Sequence, residues 1–327
     1  MGLRLDDRWI WDFWAVRDGG DHHLFFLQAP RSLGDPALRH THATIGHAIS
    51  PNLRSWALLP DALGPGATRA WDERAPWTGS VVRHRGRWHL FYTSTTDAED
   101  GLVQRIGAAT SDDLLHWERH PANPLLVADS QWYERLDSGA WFDQAWRDPW
   151  LFHDPVCQEV HAYITARSAA GPPDGRGVVA HARSTDLVRW EVGPPVLAPG
   201  EFGELEVPQL VLVDGRWFLL FSVPASSHGQ RWRRRTGQVP RTAVYYVSAD
   251  HPLGPFHGPP QRLVAAAGEP REVLYAAKLV DDGTGRWVLL ATRLFGPDGA
   301  FAGDLIDPLP VTVDPAGALV VGGQDDR

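Results

Sequence analysis

The 327-residue sequence contains one cysteine, Cys157, in the segment DPVCQEV. A single cysteine excludes an internal disulfide and a metal site built from several thiolates. A reactive thiolate needs an activating environment, and this segment offers none. We therefore expect Cys157 to be a small buried residue, and we expect neither a metal ion nor another cofactor.

Long apolar segments are also missing. No run of about 18 apolar residues is available for a transmembrane helix, and the start, MGLRLDDRWIWD, lacks the apolar core of a signal peptide. The net charge is −9, so the basic character of a nucleic-acid-binding protein is absent. These absences predict a cytoplasmic protein without membrane or nucleic-acid partners.

Apolar residues and tryptophan, by contrast, are plentiful. Hydrophobic residues make up 43% of the chain, which excludes a disordered protein, and 16 residues are tryptophan. The 27 prolines and 32 glycines disfavour long helices. Short segments rich in Val, Leu, Phe, Tyr and Trp, bounded by Gly, Pro, Asp and Asn, predict a protein built from β-strands.

Two sequence patterns recur in alternation along the chain. The first combines serine, leucine and tryptophan, and it occurs as SPNLRSW (50–56), SDDLLHW (111–117) and STDLVRW (184–190), with a degenerate copy, SADHPLGPF, at 248–256. The second is GRW followed by apolar residues, and its copies begin at 86, 215 and 285. Each repeated unit is therefore expected to contain four short strands.

Radial repetition of four-stranded units produces a β-propeller. The copies predict an all-β fold with five blades of four antiparallel strands, formed by a single domain over residues 1–327. The blades are expected to start near residues 9, 76, 145, 204 and 272. A β-sandwich would also contain many short strands, but not a regularly repeated unit.

Three acidic residues fall on the predicted first strands of different blades: Asp12, Asp148 and Glu206. First strands surround the channel of a propeller, so these side chains should meet at one end of it. An aromatic wall is expected from the neighbouring residues Trp11, Trp77 and Tyr275. Such a pocket is a candidate active site. It suits cleavage of a glycosidic bond, in which one carboxyl group protonates the leaving oxygen and another acts as nucleophile or base.

Five segments carry a family resemblance. Trp11-Asp12-Phe13-Trp14 resembles the nucleophile segment of levansucrases, in glycoside hydrolase family 68. Arg147-Asp148-Pro149 is similar to the R-D-P motif that families 68 and 32 share. Glu206-Val207-Pro208 resembles the E-C-P segment of family 32 invertases, and the W/F-S-G-S and F-Y-A segments of that family are matched by Trp77-Thr78-Gly79-Ser80 and Leu274-Tyr275-Ala276.

The resemblance implies a retaining glycoside hydrolase that cleaves a β-fructofuranoside, such as sucrose or a short fructan. Asp12 would be the nucleophile, Glu206 the general acid and base, and Asp148 the stabiliser of the transition state. The binding partner would be a small carbohydrate. Substrate contacts are expected from Trp11, Trp14, Trp77, Ser80, Arg147 and Tyr275.

The sequence also departs from these families. The N-D-P start of the invertases is replaced, and the chain is expected to lack the C-terminal β-sandwich of family 32 and the long loops of levansucrases. Open alternatives are an inverting arabinofuranosidase or xylosidase like those of family 43, or fructosyl transfer to a sugar. An alternative of another class is a non-catalytic propeller that binds glycans, although a binding protein would not need three acids.

Local strand geometry leaves two choices open at the site. Glu204 and Glu206 should face the same way on a strand, and we prefer Glu206 as the acid because the proline of the motif follows it. Regular alternation would place Asp12 and Trp14 on one strand face and Trp11 on the other. Trp14 is then the expected sugar neighbour and Trp11 the expected packing residue.

Two further segments are rich in basic or histidine side chains. QRWRRRT (230–236) is expected to be a solvated loop of blade 4, with binding of a phosphorylated sucrose by its guanidinium groups as the alternative. His40, His42 and His47 lack an additional ligand at a suitable spacing. We therefore expect these histidines on the surface or at the pocket rim, not around a metal ion.

Overall fold

The computed structural model describes residues 2–263 and 274–322. Five antiparallel sheets account for the strands in these residues, and the α-helix found among them, α1, spans Gln230–Thr236. Short 3-10 segments lie at Arg31–Leu33, Pro36–Thr41, Leu136–Ser138, Pro173–Gly175 and Ala225–Ser227. No helix in these parts of the chain has the length and apolar composition needed to span a membrane.

The first three sheets contain four strands each, ordered as they follow in the chain. Blade 1 consists of β1 (Arg8–Asp18), β2 (Asp21–Pro30), β3 (Thr44–Ser50) and β4 (Ala57–Leu63). Blade 2 consists of β5 (Pro76–His84), β6 (Arg87–Ser94), β7 (Arg105–Ser111) and β8 (Glu118–Arg119). Blade 3 consists of β9 (Trp146–His153), β10 (Val160–Arg167), β11 (Gly177–Ser184) and β12 (Glu191–Leu197).

Two more sheets follow. Blade 4 consists of β13 (Glu206–Val213), β14 (Arg216–Val223), β15 (Ala243–Ala249) and β16 (His257–Arg262). Blade 5 consists of β17 (Leu274–Asp281), β18 (Trp287–Phe295), β19 (Phe301–Leu305), β20 (Leu309–Val313) and β21 (Leu319–Val321), with β19 paired to β18 beside the main order. The predicted start of blade 5, near residue 272, lies outside the described residues.

The first strands of the five sheets form a closed ring. Strand β1 contacts β5, β5 contacts β9, β9 contacts β13, β13 contacts β17, and β17 contacts β1. The predicted five-bladed propeller of antiparallel four-stranded blades is therefore confirmed, with β19 as an extra strand in blade 5. That the whole chain forms one catalytic domain stays a prediction.

The serine–leucine–tryptophan repeat forms the same turn in three blades. In blade 2, Asp113 Oδ1 accepts hydrogen bonds of 2.9 Å from the backbone N–H groups of Leu115 and His116, and Asn52 and Asp186 do the same in blades 1 and 3. The tryptophans of this repeat lie immediately before the fourth strands, at Trp56, Trp117 and Trp190. Indole N–H groups of the last two donate to a carbonyl of the turn, which explains this position.

A β-bulge interrupts each of the five first strands. In every case one extra residue is inserted relative to the second strand, at Asp12, Thr78, Asp148, Val207 and Ala276. All of these except Thr78 have a positive φ, between 33° and 57°. A bulge breaks the alternation of a strand and re-aims side chains. Consecutive residues at these positions can therefore face the same side.

Two segments differ from the expectations. Cys157 is exposed, because it lies in the turn between β9 and β10 and not in a strand. The segment 230–236 is not a loop but α1, and Trp232 anchors it by packing into the core formed between blades 3 and 4.

Gly79, directly after the bulge of β5, lies against the backbone of β6 and provides a test of the packing between these two strands. A methyl group at this position would overlap the carbonyl oxygen of Phe91 on β6. We expect Gly79→Ala to lower the free energy of unfolding by about 3 kcal/mol. The control is Gly20→Ala, where a methyl group meets no atom within 4 Å. Urea denaturation measures the free energy of unfolding of both variants. Equal losses in Gly79→Ala and Gly20→Ala would contradict the expected effect of the close approach between Gly79 and Phe91.

Candidate active site

A cavity of about 390 Å³ lies at the amino-terminal ends of the five first strands. Each blade contributes the residue that precedes its bulge, and blades 1 to 4 also contribute the bulged residue. The residues of the first strands that line the cavity are Trp11, Asp12, Trp77, Thr78, Arg147, Asp148, Glu206, Val207 and Tyr275. In blades 1 to 4 the bulge thus lets two consecutive side chains of the first strand reach the cavity.

The tryptophans of β1 take the opposite positions from those expected. Trp11 lines the cavity beside Asp12, whereas Trp14 is fully buried in the core and stacks on Phe25 with ring centroids 6.2 Å apart. Regular alternation fails because the bulge at Asp12 shifts the register of β1 against β2. Trp11 is therefore the residue of this pair that a ligand in the cavity could touch.

Ser80 is the second predicted contact residue that lies away from the cavity. Its side chain is buried, and its Oγ accepts a hydrogen bond of 3.1 Å from the backbone N–H of Leu151. Ser80 therefore ties blade 2 to blade 3. The predicted contact residues Trp77, Arg147 and Tyr275 do line the cavity.

Asp12 is held at the cavity wall by its neighbour on blade 2. Its Oδ2 accepts a hydrogen bond of 2.8 Å from Thr78 Oγ1. Burial and the nearby carboxylate of Asp148 raise the pKa of Asp12 to about 6, while Thr78 and Arg39 act in the opposite direction. Above that pH, Asp12 is a carboxylate in a poorly solvated environment, which suits a nucleophile or a base.

Asp148 is fixed by backbone and hydroxyl donors. Its Oδ2 accepts hydrogen bonds from Thr165 Oγ1 at 2.9 Å and from the backbone N–H of Val207 at 3.1 Å. Its own backbone N–H donates to Thr93 Oγ1 at 2.9 Å. Burial raises the pKa of Asp148, which these donors partly offset. The carboxylate is thereby held in one orientation with little freedom to rotate.

Arg147 connects three acids and a glutamine. Its Nη2 donates to Glu204 Oε1 and to Glu206 Oε1, both at 2.7 Å. Its Nη1 donates to Gln104 Oε1 at 3.2 Å and to Asp143 Oδ2 at 3.4 Å. Burial disfavours the charged guanidinium, yet the surrounding carboxylates raise the pKa of Arg147 well above its ordinary value. This cation holds several buried acids together.

Glu206 differs from Glu204 in its exposure and its partners. Its side chain is 20% exposed to the cavity, against 7% for Glu204. Glu206 Oε2 accepts a hydrogen bond from the Tyr275 hydroxyl, and Glu204 Oε2 accepts one of 3.1 Å from Ser227 Oγ. Burial and the neighbouring Glu204 raise the pKa of Glu206 to about 7, although Arg147 and Tyr275 favour its ionised form. Glu206 can therefore carry a proton near neutral pH.

Sequence reasoning missed a loop that covers part of the cavity. The 3-10 segment Pro36–Thr41 brings Arg39 and His40 to its lining, and Trp77 Nε1 donates a hydrogen bond of 2.7 Å to the His40 carbonyl oxygen. Arg39 stacks over the Trp11 ring at 5.5 Å. The surface or the pocket rim was the expected position for His40, and the structure places it at the cavity. No sequence signal pointed to Arg39.

The other two histidines lie elsewhere. His42 is exposed at the end of the 3-10 segment. His47 was expected on the surface or at the rim, but it is buried, where its Nε2 lies 3.0 Å from His23 Nδ1. That expectation is wrong because His47 is on β3 and faces Phe25, on which it stacks.

Metal ligands and phosphate-binding groups were also sought around the cavity. Within residues 2–263 and 274–322, one group could hold a metal ion, namely Asp154, Cys157 and His161, and none of the three lines the cavity. The four arginines of α1 are absent from the lining as well, and Arg235 pairs with Glu201 at 2.6 Å. The arrangement therefore does not favour phosphate binding by α1.

The geometry defines a propeller with carboxyl groups from several blades around one cavity, and comparisons place it in a family. The family model of the N-terminal domain of glycosyl hydrolases family 32 matches residues 15–248. The chain belongs to glycoside hydrolase family 32, and it is a glycosidase. An extracellular sucrase of Zymomonas mobilis is 26% identical over an alignment that covers 86% of this chain and 76% of that protein.

Two solved structures share the fold. Inulosucrase from Halalkalicoccus jeotgali, bound to kestose, aligns with a TM-score of 0.79 and 21% identity, covering 98% of this chain and 89% of that one. The family 32 β-fructofuranosidase of Bombyx mori aligns with a TM-score of 0.72 and 21% identity, covering 99% and 64%. The expected cytoplasmic location stays a prediction, since the Zymomonas relative is named as extracellular.

Arg147 provides a test of the charge network. In Arg147→Met the carboxyl groups of Asp143, Glu204 and Glu206 lose their shared cation, and we expect a loss of about 3–5 kcal/mol in unfolding free energy at pH 8. The loss should shrink as the pH falls, because burial raises the pKa values of Asp143 and Glu206, so these carboxyl groups can become protonated in the folded state.

The control for this variant is Arg183→Met, which removes an exposed ion pair with Glu191 of 2.9 Å and should cost at most about 1 kcal/mol. Thermal or urea unfolding at pH 8 and pH 5 measures both variants. A loss for Arg147→Met that does not depend on pH would contradict the expected network.

Proposed function

We propose that this glycosidase is a retaining β-fructofuranosidase that hydrolyses sucrose or a short fructan. The observation that carries the proposal is the convergence of Asp12, Asp148 and Glu206 from three blades on one cavity. In this proposal Asp12 is the nucleophile, Glu206 the general acid and base, and Asp148 the stabiliser of the transition state.

In the first step, the Asp12 carboxylate attacks the anomeric carbon of the fructosyl unit. Glu206 transfers its proton to the glycosidic oxygen as the bond from carbon to that oxygen breaks, so the leaving sugar departs as a neutral alcohol. The Thr78 hydroxyl holds the attacking carboxylate in position. The product of this step is a fructosyl ester on Asp12 and an ionised Glu206.

In the second step, Glu206 accepts a proton from water as the water oxygen attacks the anomeric carbon. The ester bond breaks, Asp12 returns as a carboxylate, and fructose leaves with its original anomeric configuration. Hydrogen bonds from Arg147 and Tyr275 stabilise the ionised form of Glu206 between the two steps. The fixed carboxylate of Asp148 faces the positive charge that develops on the sugar ring.

The pKa values support this division of roles. Asp12 must be ionised and Glu206 protonated at the start of the reaction, and their pKa values are raised to about 6 and about 7. Between these values both groups are substantially in the required state.

The substrate class is supported by the relatives. The Zymomonas protein is named a sucrase, and proteins of rice named β-fructofuranosidase are 30% identical over 60% of this chain, which spans 30% of their length. Trp11, Trp77 and Tyr275 add aromatic surfaces to the polar cavity. Such walls suit a sugar, which presents apolar ring faces and polar edges.

A substrate screen tests the proposal directly. The purified protein should release fructose from sucrose, and NMR should detect the β-furanose anomer first. Asp12→Asn should lower kcat/KM on the order of 10⁴-fold. Unchanged hydrolysis by this variant would remove Asp12 from the nucleophile role, and initial release of the opposite anomer would favour an inverting mechanism. Oligosaccharide products in place of free fructose would favour transfer to a sugar.

Matched amide variants decide which glutamate is the acid. We expect Glu206→Gln to lower kcat on sucrose by about 10²–10⁴-fold, since general acid–base catalysis contributes that much. Glu204→Gln should retain much of the activity, because Glu204 is the less exposed member of the pair and bonds to Arg147 and Ser227. Near-normal activity in Glu206→Gln combined with loss in Glu204→Gln would reverse the assignment.

A further inference from the structure

Lys278 is the only lysine in the 327-residue sequence. It lies on β17, two residues after the bulged Ala276, and its side chain is buried. It does not belong to the lining of the cavity, so it does not take part in the proposed steps. A buried ammonium group carries a large desolvation cost unless other groups offset it.

The immediate partners of the ammonium group are neutral. Its Nζ donates hydrogen bonds of 2.9 Å to the carbonyl oxygens of Val207 and Pro208. It also lies 5.2 Å from the centroid of the Trp150 ring, within the range of a cation–π interaction. Carbonyl dipoles and an indole face solvate the charge but do not neutralise it.

The charges that act on Lys278 come from the candidate active site. Burial lowers the pKa of Lys278 to about 7, while the carboxylates of Asp148, on β9, and Asp12, on β1, raise it. The interaction is mutual, because the ammonium group favours the ionised form of both acids. A positive charge thus lies outside the cavity wall, close enough to influence the two carboxylates that must be ionised.

A second connection runs through the backbone of the blade 4 bulge. The carbonyl oxygen of Val207 accepts from Lys278, and the N–H of the same residue donates to Asp148 Oδ2 at 3.1 Å. Val207 has a φ of 52°, which is unfavourable for a β-branched residue. Its conformation therefore needs support from its surroundings, and Lys278 bonds to both residues of the bulge.

We propose that Lys278 is a positioning residue for the reaction, which holds the blade 4 bulge beneath Asp148 and, in addition to Arg39 and Arg147, contributes positive charge that favours the ionised forms of Asp12 and Asp148. The proposal rests on the proposed function, since it gives these two carboxylates their roles. Its electrostatic part can nevertheless be measured without any substrate.

The single lysine makes a direct measurement feasible. Protein labelled with ¹³C at the lysine Cε should give one lysine resonance, and its pH titration reports the charge on Lys278. Replacing a nearby carboxylate removes a group that favours the ammonium, so the titration midpoint should fall in Asp148→Asn and in Asp12→Asn. Midpoints that are the same in the wild type and in both variants would overturn the proposal.

Kinetics provide the second measurement. Lys278→Met removes the charge and keeps the length of the side chain. Without this charge the carboxyl groups ionise at higher pH, so the fall of kcat/KM on the acidic side of its pH profile should occur about one pH unit higher than in the wild type. The control is Gln209→Ala. The Gln209 side chain accepts from the Leu279 N–H at 2.7 Å and donates to the Leu279 carbonyl oxygen at 2.9 Å, joining the same strands without charge.

The control should lower the unfolding temperature and leave the acidic limb in place. An acidic limb that is equal in Lys278→Met and wild type would overturn the proposal, as would an equal displacement in Gln209→Ala. If Lys278→Met does not fold, the resonance titration in the aspartate variants still decides. A wild-type protein that cleaves no fructoside would refute the proposed function, whereas the titration would report on Lys278 independently.

Discussion

The cavity depends on the five β-bulges at equivalent points of the innermost strands. A regular strand alternates its side chains, so it could present only every second residue to the channel. The bulges at Asp12, Thr78, Asp148 and Val207 let two consecutive residues face the cavity in four blades. Because all five first strands contact one another in a ring, the bulges lie at one level and their side chains meet.

This concentration of side chains creates an electrostatic problem that shapes the rest of the site. Several carboxyl groups share a poorly solvated space, where burial raises the pKa values of Asp12, Asp148 and Glu206. Arg147 offsets the cost of burying two of these carboxyl groups, because it donates hydrogen bonds to both Glu204 and Glu206. Lys278 is buried outside the cavity lining, where it bonds to the carbonyl oxygens of Val207 and Pro208 and favours the ionised forms of Asp12 and Asp148. Both cations therefore favour the ionised forms of the acids around the cavity.

Much of the architecture could be predicted because it is repeated. The serine–leucine–tryptophan and GRW patterns mark the same turn and the same strand in successive blades, so the number of blades followed from counting copies. Motifs in three blades located Asp12, Asp148 and Glu206, which the structure brings to one cavity. Arg39 could not be found in this way, since it reaches the cavity from a 3-10 segment outside the repeated strands. Trp14 and Ser80 were misplaced because their orientation depends on register and on contacts between blades.

The sequence by itself determined the strand periodicity, the repeat and the chemical types of the residues on each first strand, because these follow from local composition and spacing. Only the tertiary structure decided which way those residues point. A one-residue bulge reverses the alternation after Asp12, directing Trp11 into the cavity and Trp14 into the core. The tertiary structure also decided which groups the charged side chains of Arg147 and Lys278 contact. The hydrogen bonds from Arg147 to Glu204 and from Lys278 to Val207 join residues 57 and 71 positions apart in the chain, and only closure of the propeller brings these residues within hydrogen-bonding distance.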